Sequence, residues 1–170
     1  MSYNYGSLQD YLKFRQLHCK PISSDLIRSG SMVSLSYIWA EGEYEKGGKP
    51  VPKSFFNAWS FFPLIQVGPT RMTAEQSGKR FFRAVNYQFL SVPERIELYR
   101  GGNISESRLQ EAVRNYRYEG VKLAFYVPKK VQEEILLFYP SGVYFKSTYP
   151  KVTGQSVQRA RSFVKHYWET

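Results

Sequence analysis

Between Phe81 and Leu90 hydrophobic and polar positions alternate, with Val85, Tyr87 and Phe89 on one side and Ala84, Asn86 and Gln88 on the other. A two-residue period predicts a half-buried strand. After the break at Val92-Pro93-Glu94, Arg95 to Arg100 reads as a second, short strand, ended by Gly101-Gly102-Asn103. Leu109, Ala112, Val113 and Tyr116 then recur at helical spacing and leave Arg108, Arg114 and Arg117 on the rest of the helix surface. Asn103 is placed to cap that helix with Glu106 reaching back, and Gly120 stands where a left-handed stop residue is wanted. Beyond it Val121, Leu123, Phe125 and Val127 alternate again. Ile135 to Tyr139 and Val143 to Phe145 flank Pro140-Ser141-Gly142, which predicts a hairpin.

The flanking regions extend the same pattern. Ser7-Leu8-Gln9-Asp10 predicts a capped start for a helix through Leu17, and Pro21 stops its continuation. Ser31 to Trp39 alternates as a strand, with Val33, Leu35, Tyr37 and Trp39 on one face. Residues 46–52 carry two glycines and two prolines and read as a flexible loop within one domain, and Thr70 to Lys79 reads as a second loop. The aromatic run from Ser54 to Phe62 fits either a helix or a strand, packed in the core or exposed as an anchor. Val157, Ala160, Val164 and Tyr167 predict a last helix ringed by Arg159, Arg161, Lys165 and His166. The predicted fold is α+β: a mostly antiparallel sheet with two or three packed helices, in a single domain over residues 1–170.

Composition adds a direction to this scaffold. Hydrophobic residues make up 42% of the 170, enough for one core, and the 17% aromatic content favours strands. A formal net charge of +10 points to polyanionic partners: nucleic acid, anionic lipid or an acidic protein. Cys19 is the single cysteine, which excludes an intrachain disulfide and suits a reducing compartment. The first residues lack a basic region followed by an apolar run, and no stretch is long enough to span a bilayer. The expected location is therefore cytoplasmic, with any membrane contact made from the side by charge.

Catalytic and metal-binding patterns fall short. Gly42 to Lys49 misses the phosphate-cradling loop by one residue, puts Pro50 where a magnesium-binding hydroxyl is needed, and carries Glu43 and Glu45, which repel phosphate. His18, Cys19 and His166 are the whole His and Cys inventory, and adjacent His18-Cys19 lacks the spacing of a tetrahedral metal site. A Cys19–His166 nucleophile pair has no local signature. No cofactor and no metal are expected.

Two family resemblances bear on function. Leu98-Tyr99-Arg100-Gly101 and Gly142 to Thr148 resemble the first two motifs of arginine–serine–glutamate ADP-ribosyltransferases. That resemblance implies an Arg gripping dinucleotide phosphates and a Ser-Thr strand at the nicotinamide pocket. The family's later Glu-x-Glu is missing: only Glu169 follows, and Glu41-x-Glu43 lies upstream. Without that carboxylate nothing stabilises the ribosyl cation, so the transferase reading is that of a degenerate domain.

The same region resembles rhabdovirus matrix proteins through Val92-Pro93-Glu94, Leu98-Tyr99-Arg100-Gly101, and Ser141-Gly142-Val143-Tyr144 followed by Ser147. The resemblance implies a small, basic, non-enzymatic, self-associating protein of mixed sheet-and-helix fold that bridges nucleocapsid and membrane in the host cytoplasm or virion. A Pro-Pro-x-Tyr motif and a lysine-rich leading tail, seen in animal-virus members, are absent here. The charges expected to carry polyanion binding are Arg83, Arg95, Arg108, Arg114 and Arg117, with Arg159, Arg161 and Lys165 on the last helix. The expected partners are nucleic acid or ribonucleoprotein, an anionic membrane surface and further copies of the chain, with no small-molecule cofactor. The alternative is a sequence-nonspecific nucleic-acid-binding protein that stacks bases on Tyr87, Tyr99 or Tyr144.

Overall fold

The structure, a computed structural model, describes residues 3–39, 45–46, 49–50, 58–68, 75–76, 79–102 and 104–139. It is α+β and built on one antiparallel sheet. Helix α1 (Leu8–His18) leads into β1 (Lys20–Ile22) and β2 (Met32–Tyr37). Two-residue strands β3 (Glu45–Lys46) and β4 (Lys49–Pro50) pair inside the segment expected to be a loop. Next come β5 (Leu64–Val67), the short β6 (Glu75–Gln76) and the long β7 (Lys79–Asn86). Helices α2 (Val92–Tyr99) and α3 (Glu106–Ala112) precede β8 (Val113–Arg117), β9 (Val121–Tyr126) and α4 (Gln132–Ile135). The sheet order is β1-β9-β2-β5-β7, with β6 and β8 both paired to β7.

That order forces the sheet to roll up. Strands β8 and β9 are joined by three residues in a tight 3-10 turn, Tyr118–Gly120, yet lie four strand steps apart along the sheet. A flat sheet would separate them by about 19 Å, whereas the linking turn reaches roughly 14 Å even if fully extended. Two hydrogen bonds join the β8–β9 turn region to the end of β2: the Arg117 amide donates to the Tyr37 hydroxyl at 2.7 Å, and the Ile38 amide to the Gly120 carbonyl at 2.8 Å. Inside the roll lie Val33, Leu35, Tyr37, Ile65, Val67, Phe82, Ala84 and Tyr116. The Tyr37 and Tyr116 rings meet edge to face at 5.2 Å. The other face carries the helices and a second core around Tyr11, Phe14, Leu64, Tyr87, Leu98, Leu109 and Phe138.

Several elements differ from the pattern read in the sequence, each for a local reason. The Arg95–Arg100 segment is helical, not a strand. Ser91 caps α2 by accepting from the Glu94 amide, the Glu94 carboxylate accepts from the Ser91 amide at 2.9 Å, and a proline sits in the first turn. Gly101, at φ 74°, then closes the helix: its amide donates to Leu98 and that of Gly102 to Glu97, the paired bonds of a Schellman stop. The following helix is capped by Ser105 and ends at Ala112. Beyond it Val113 to Arg117 switch to strand, because Tyr116 fills the inner core opposite Phe82. Of the strand expected from Phe81 to Leu90, Phe81 to Asn86 belongs to β7, which starts earlier at Lys79, and Tyr87–Phe89 winds into a 3-10 turn. The Thr70–Lys79 loop contains β6, paired with Lys79 and Arg80. Ile135 ends α4 and Leu136–Tyr139 turn, so the hairpin's first arm is not a strand; its second arm lies outside the described residues. Of the Ser54–Phe62 run, Ala58–Phe61 is a 3-10 turn with Trp59 buried, and residues 54–57 lie outside the description.

The edges at β1 and β8 are blunted. Strand β1 is three residues long and contains Pro21, which has no amide to offer. On the outer edge of β8 the Val113 amide donates to Gln110, the Val113 carbonyl accepts from Arg114, and the Arg117 amide is held by Tyr37. No helix among the described residues is long and apolar enough to cross a membrane.

Candidate polyanion interface

Of the five described arginines expected on the surface, three are buried and structural. Arg95 is 0% exposed. It enters the helical core from the first turns of α2, and its guanidinium ties two chain reversals together. Nε donates to the Tyr87 and Leu90 carbonyls at 2.7 and 2.9 Å, and Nη1 to Leu136 and Tyr139 at 2.9 and 2.8 Å. Such a group has no face left for a ligand. Arg108, 3% exposed, forms a two-pronged ion pair with Glu94, a third contact to Glu111 at 2.7 Å and a bond to the Phe89 carbonyl at 3.0 Å. Burial alone would lower its proton affinity; the hydrogen bonds and charge of Glu94, then of Glu111, outweigh that and hold the guanidinium above its ordinary value. Arg117, 7% exposed, donates from Nη2 to the Ile38 carbonyl at 2.7 Å and fixes the seam of the roll.

Arg114 is half-buried, 4.3 Å above the Phe89 ring, with Nη1 on the Glu111 and Val113 carbonyls. Burial shifts it below the ordinary arginine value, while Tyr116 and Glu111 pull the other way. Arg83 is half-buried on β7, opposite Asn115 of β8. The surface placement of Arg95, Arg108 and Arg117 is thus corrected: a guanidinium satisfying several carbonyls or a carboxylate is stable inside a core. Arg159, Arg161 and Lys165 lie outside the described residues. Tyr87, expected as an exposed stacking surface, is fully buried, with its hydroxyl on Gln66. Tyr99 packs partly buried against the helical core, and Tyr144 is outside the description.

A fourth internal arginine pairs with no carboxylate among the described residues. Arg15 of α1, 7% exposed, has its guanidinium carbon 4.6 Å from the centre of the Phe125 ring and 5.3 Å from that of Phe62. It donates to the Leu35 carbonyl at 3.1 Å and to Ser36 at 3.1 Å. Aromatic faces stand in for the counter-ion there. Beside it Tyr139 donates to the Tyr11 hydroxyl at 3.0 Å, and Tyr11 meets Ser34, a polar network between α1, β2 and the turn after α4.

The exposed cations among the described residues are Lys13, Lys20, Arg28, Arg80, Arg100, Lys122, Lys129 and Lys130. Of these Arg100, at the C-cap of α2, pairs with Glu133 of α4 at 3.1 Å. The others form no ion pair within the described residues. Arg80 stacks its guanidinium 5.3 Å from the Tyr118 ring, which itself packs on Phe82 at 4.8 Å. Burial raises the Tyr118 hydroxyl's pKa, and the charges of Arg80 and Arg28 pull it back down. Arg80 thus sits over a half-buried phenol, and Arg28 follows Ile27, which is buried in the same inner core that Tyr118 packs against. One sign of this was legible in the sequence, since Arg80 ends the alternating row Arg80, Phe82, Ala84, Asn86. Arg28, 52 positions upstream, is brought close only by the tertiary fold.

Among the described residues no group of three His, Cys, Asp or Glu side chains could hold a metal ion. No protein-family model, curated protein or solved structure matches the chain.

Proposed function

We propose that the chain is a basic, non-enzymatic assembly protein of the matrix type, which binds nucleocapsid or an anionic membrane surface through exposed cations and self-associates. The observation that carries this reading is the division of the cations. Arg15, Arg95, Arg108 and Arg117 are consumed inside the fold, whereas Arg28, Arg80 and five lysines stand exposed without an ion-pair partner among the described residues. Exposed, unneutralised charge is what attracts a polyanion. Copies would meet through side-chain faces, because the edges at β1 and β8 are blunted against strand addition.

A second reading, sequence-nonspecific nucleic-acid binding, is favoured by the stacking of Arg80 on Tyr118, a combination of charge and ring suited to single strands. Binding of RNA, DNA and anionic vesicles measured over a series of salt concentrations tests both. Affinity for single strands should fall with a slope near −0.7 per phosphate contact. Undetectable binding to all three at low salt rules out both readings.

A further inference from the structure

The end of the roll that carries Arg28 and Arg80 is held rigidly. The Gly30 amide donates to Val67 at 2.8 Å and the Val67 amide to Ser31 at 3.0 Å, which locks the 28–31 turn onto the end of β5. The Gly68 amide in turn donates to Arg83 at 2.8 Å, which fixes β5 against β7 three residues from Arg80. Gly30, at φ 81°, makes the turn possible. Arg28 is pinned further by a bond from Nη1 to the Asp25 carbonyl, and Arg80 by its stack on Tyr118. Both guanidiniums remain exposed and free of carboxylates within the described residues, with donors left over.

We propose that Arg28 and Arg80, set around Tyr118, form a binding site for the phosphodiester backbone of single-stranded RNA. This rests on the polyanion-binding reading above and names where and to what. Two planar guanidiniums held in place match phosphate oxygens with little ordering left to do on binding. A bilayer is the poorer fit. It offers a broad field to which every exposed lysine would contribute alike, and so gives no reason for two guanidiniums to be fixed in place.

The test compares two charge reversals of equal size, R28E/R80E and K129E/K130E, the latter on the turn before α4. Each is titrated with a fluorescein-labelled oligouridylate by anisotropy at several salt concentrations, and with phosphatidylcholine–phosphatidylserine vesicles by flotation. Loss of two phosphate contacts should weaken RNA binding by roughly tenfold or more and reduce the salt slope by about 1.4. The K129E/K130E protein, which gives up part of the general attraction but no fixed phosphate contact, should lose clearly less affinity than R28E/R80E and keep its salt slope within about 0.7 of wild type. The neutral R28Q/R80Q variant should lose the same slope, and carries the comparison if the reversal unfolds the protein. Equal losses from both reversals would overturn the site and leave binding by diffuse charge standing. Vesicle binding lost with RNA binding retained would overturn it in favour of a lipid contact. A wild-type protein that binds neither probe overturns both the site and the function it rests on.

Discussion

Arg108 and Glu94 meet inside the helical core, Nε to Oε2 and Nη2 to Oε1, both at 3.2 Å, with both side chains about 5% exposed or less. The same carboxylate accepts the Ser91 amide, so the cap of α2 and the anchor of α3 share one group. An arginine that looks in the sequence like a solvated charge on a helix face is the bolt between two helices.

Glu94→Ala should therefore be among the most damaging substitutions, leaving a buried guanidinium without its two-pronged partner and half of the α2 capping box undone, at about 3–5 kcal/mol. Replacing both partners, as in E94L/R108M, should recover part of that loss, because no charge is then stranded. Urea midpoints of the two variants check this. A loss below about 1 kcal/mol for Glu94→Ala would mean the pair acts like an exposed one.

The fold class and the outer elements were legible because they rest on local signals. Ser7 does accept from Asp10 at the start of α1, and the alternation in β2 does place Val33, Leu35 and Tyr37 in the core; in β9 the alternating row fails at Leu123, which is exposed, while Ala124 beside it is buried. The errors came from reading period without caps. Ser91-Val92-Pro93-Glu94 spells a helix start, and it outweighs the short run of apolar positions read as a strand after it. The fates of the arginines could not be read locally. The carbonyls that swallow Arg95 include Leu136 and Tyr139, more than 40 residues away, and only the folded chain brings them together.

Two glycines should fail on replacement for different reasons. Gly101→Ala adds a methyl with nothing within 4 Å, so its cost is conformational, about 1–2 kcal/mol for a left-handed residue. At Gly120, φ is not left-handed, but an added Cβ would sit 2.7 Å from the Tyr37 ring and 3.0 Å from Arg117 Nη2. Gly120→Ala should cost about 1–3 kcal/mol by overpacking the seam. Thermal melts give the size, and loss of near-ultraviolet tyrosine dichroism in Gly120→Ala alone separates the causes.

Stability should decline on the alkaline side. Burial pushes the Cys19 thiol from 9.0 up to about 11, against the pull of Arg15, and burial likewise raises Tyr11, Tyr87 and Tyr139 above 10.0. Above the unfolded-state values the unfolded chain has released protons that the native chain still holds, so unfolding is favoured as pH rises. The contribution is intact below about pH 9 and is lost upward from there, first through the thiol and then through the phenols. Melting temperatures at pH 8, 9, 10 and 11 should fall, with the onset moved to about pH 10 in Cys19→Ala. A flat profile to pH 11 would contradict the burial of these groups.

Arg95 separates a structural arginine from a binding one. Its guanidinium satisfies four carbonyls, of Tyr87 and Leu90 before α2 and of Leu136 and Tyr139 after α4. Lysine has three donors on a point charge and cannot span both pairs in the plane of the fork. Methionine offers none. Arg95→Lys should thus leave part of this set unpaired and cost about 2–3 kcal/mol, and Arg95→Met about 3–5 kcal/mol, since each buried acceptor left without a donor costs about 1–3 kcal/mol. If Arg95 instead served a polyanion, Arg95→Met would keep its melting temperature and lose RNA affinity. The structure requires the opposite order: a large drop in urea midpoint, and oligouridylate binding by the remaining folded fraction within about twofold of wild type, because a residue with no exposed surface contributes no phosphate contact to the salt slope.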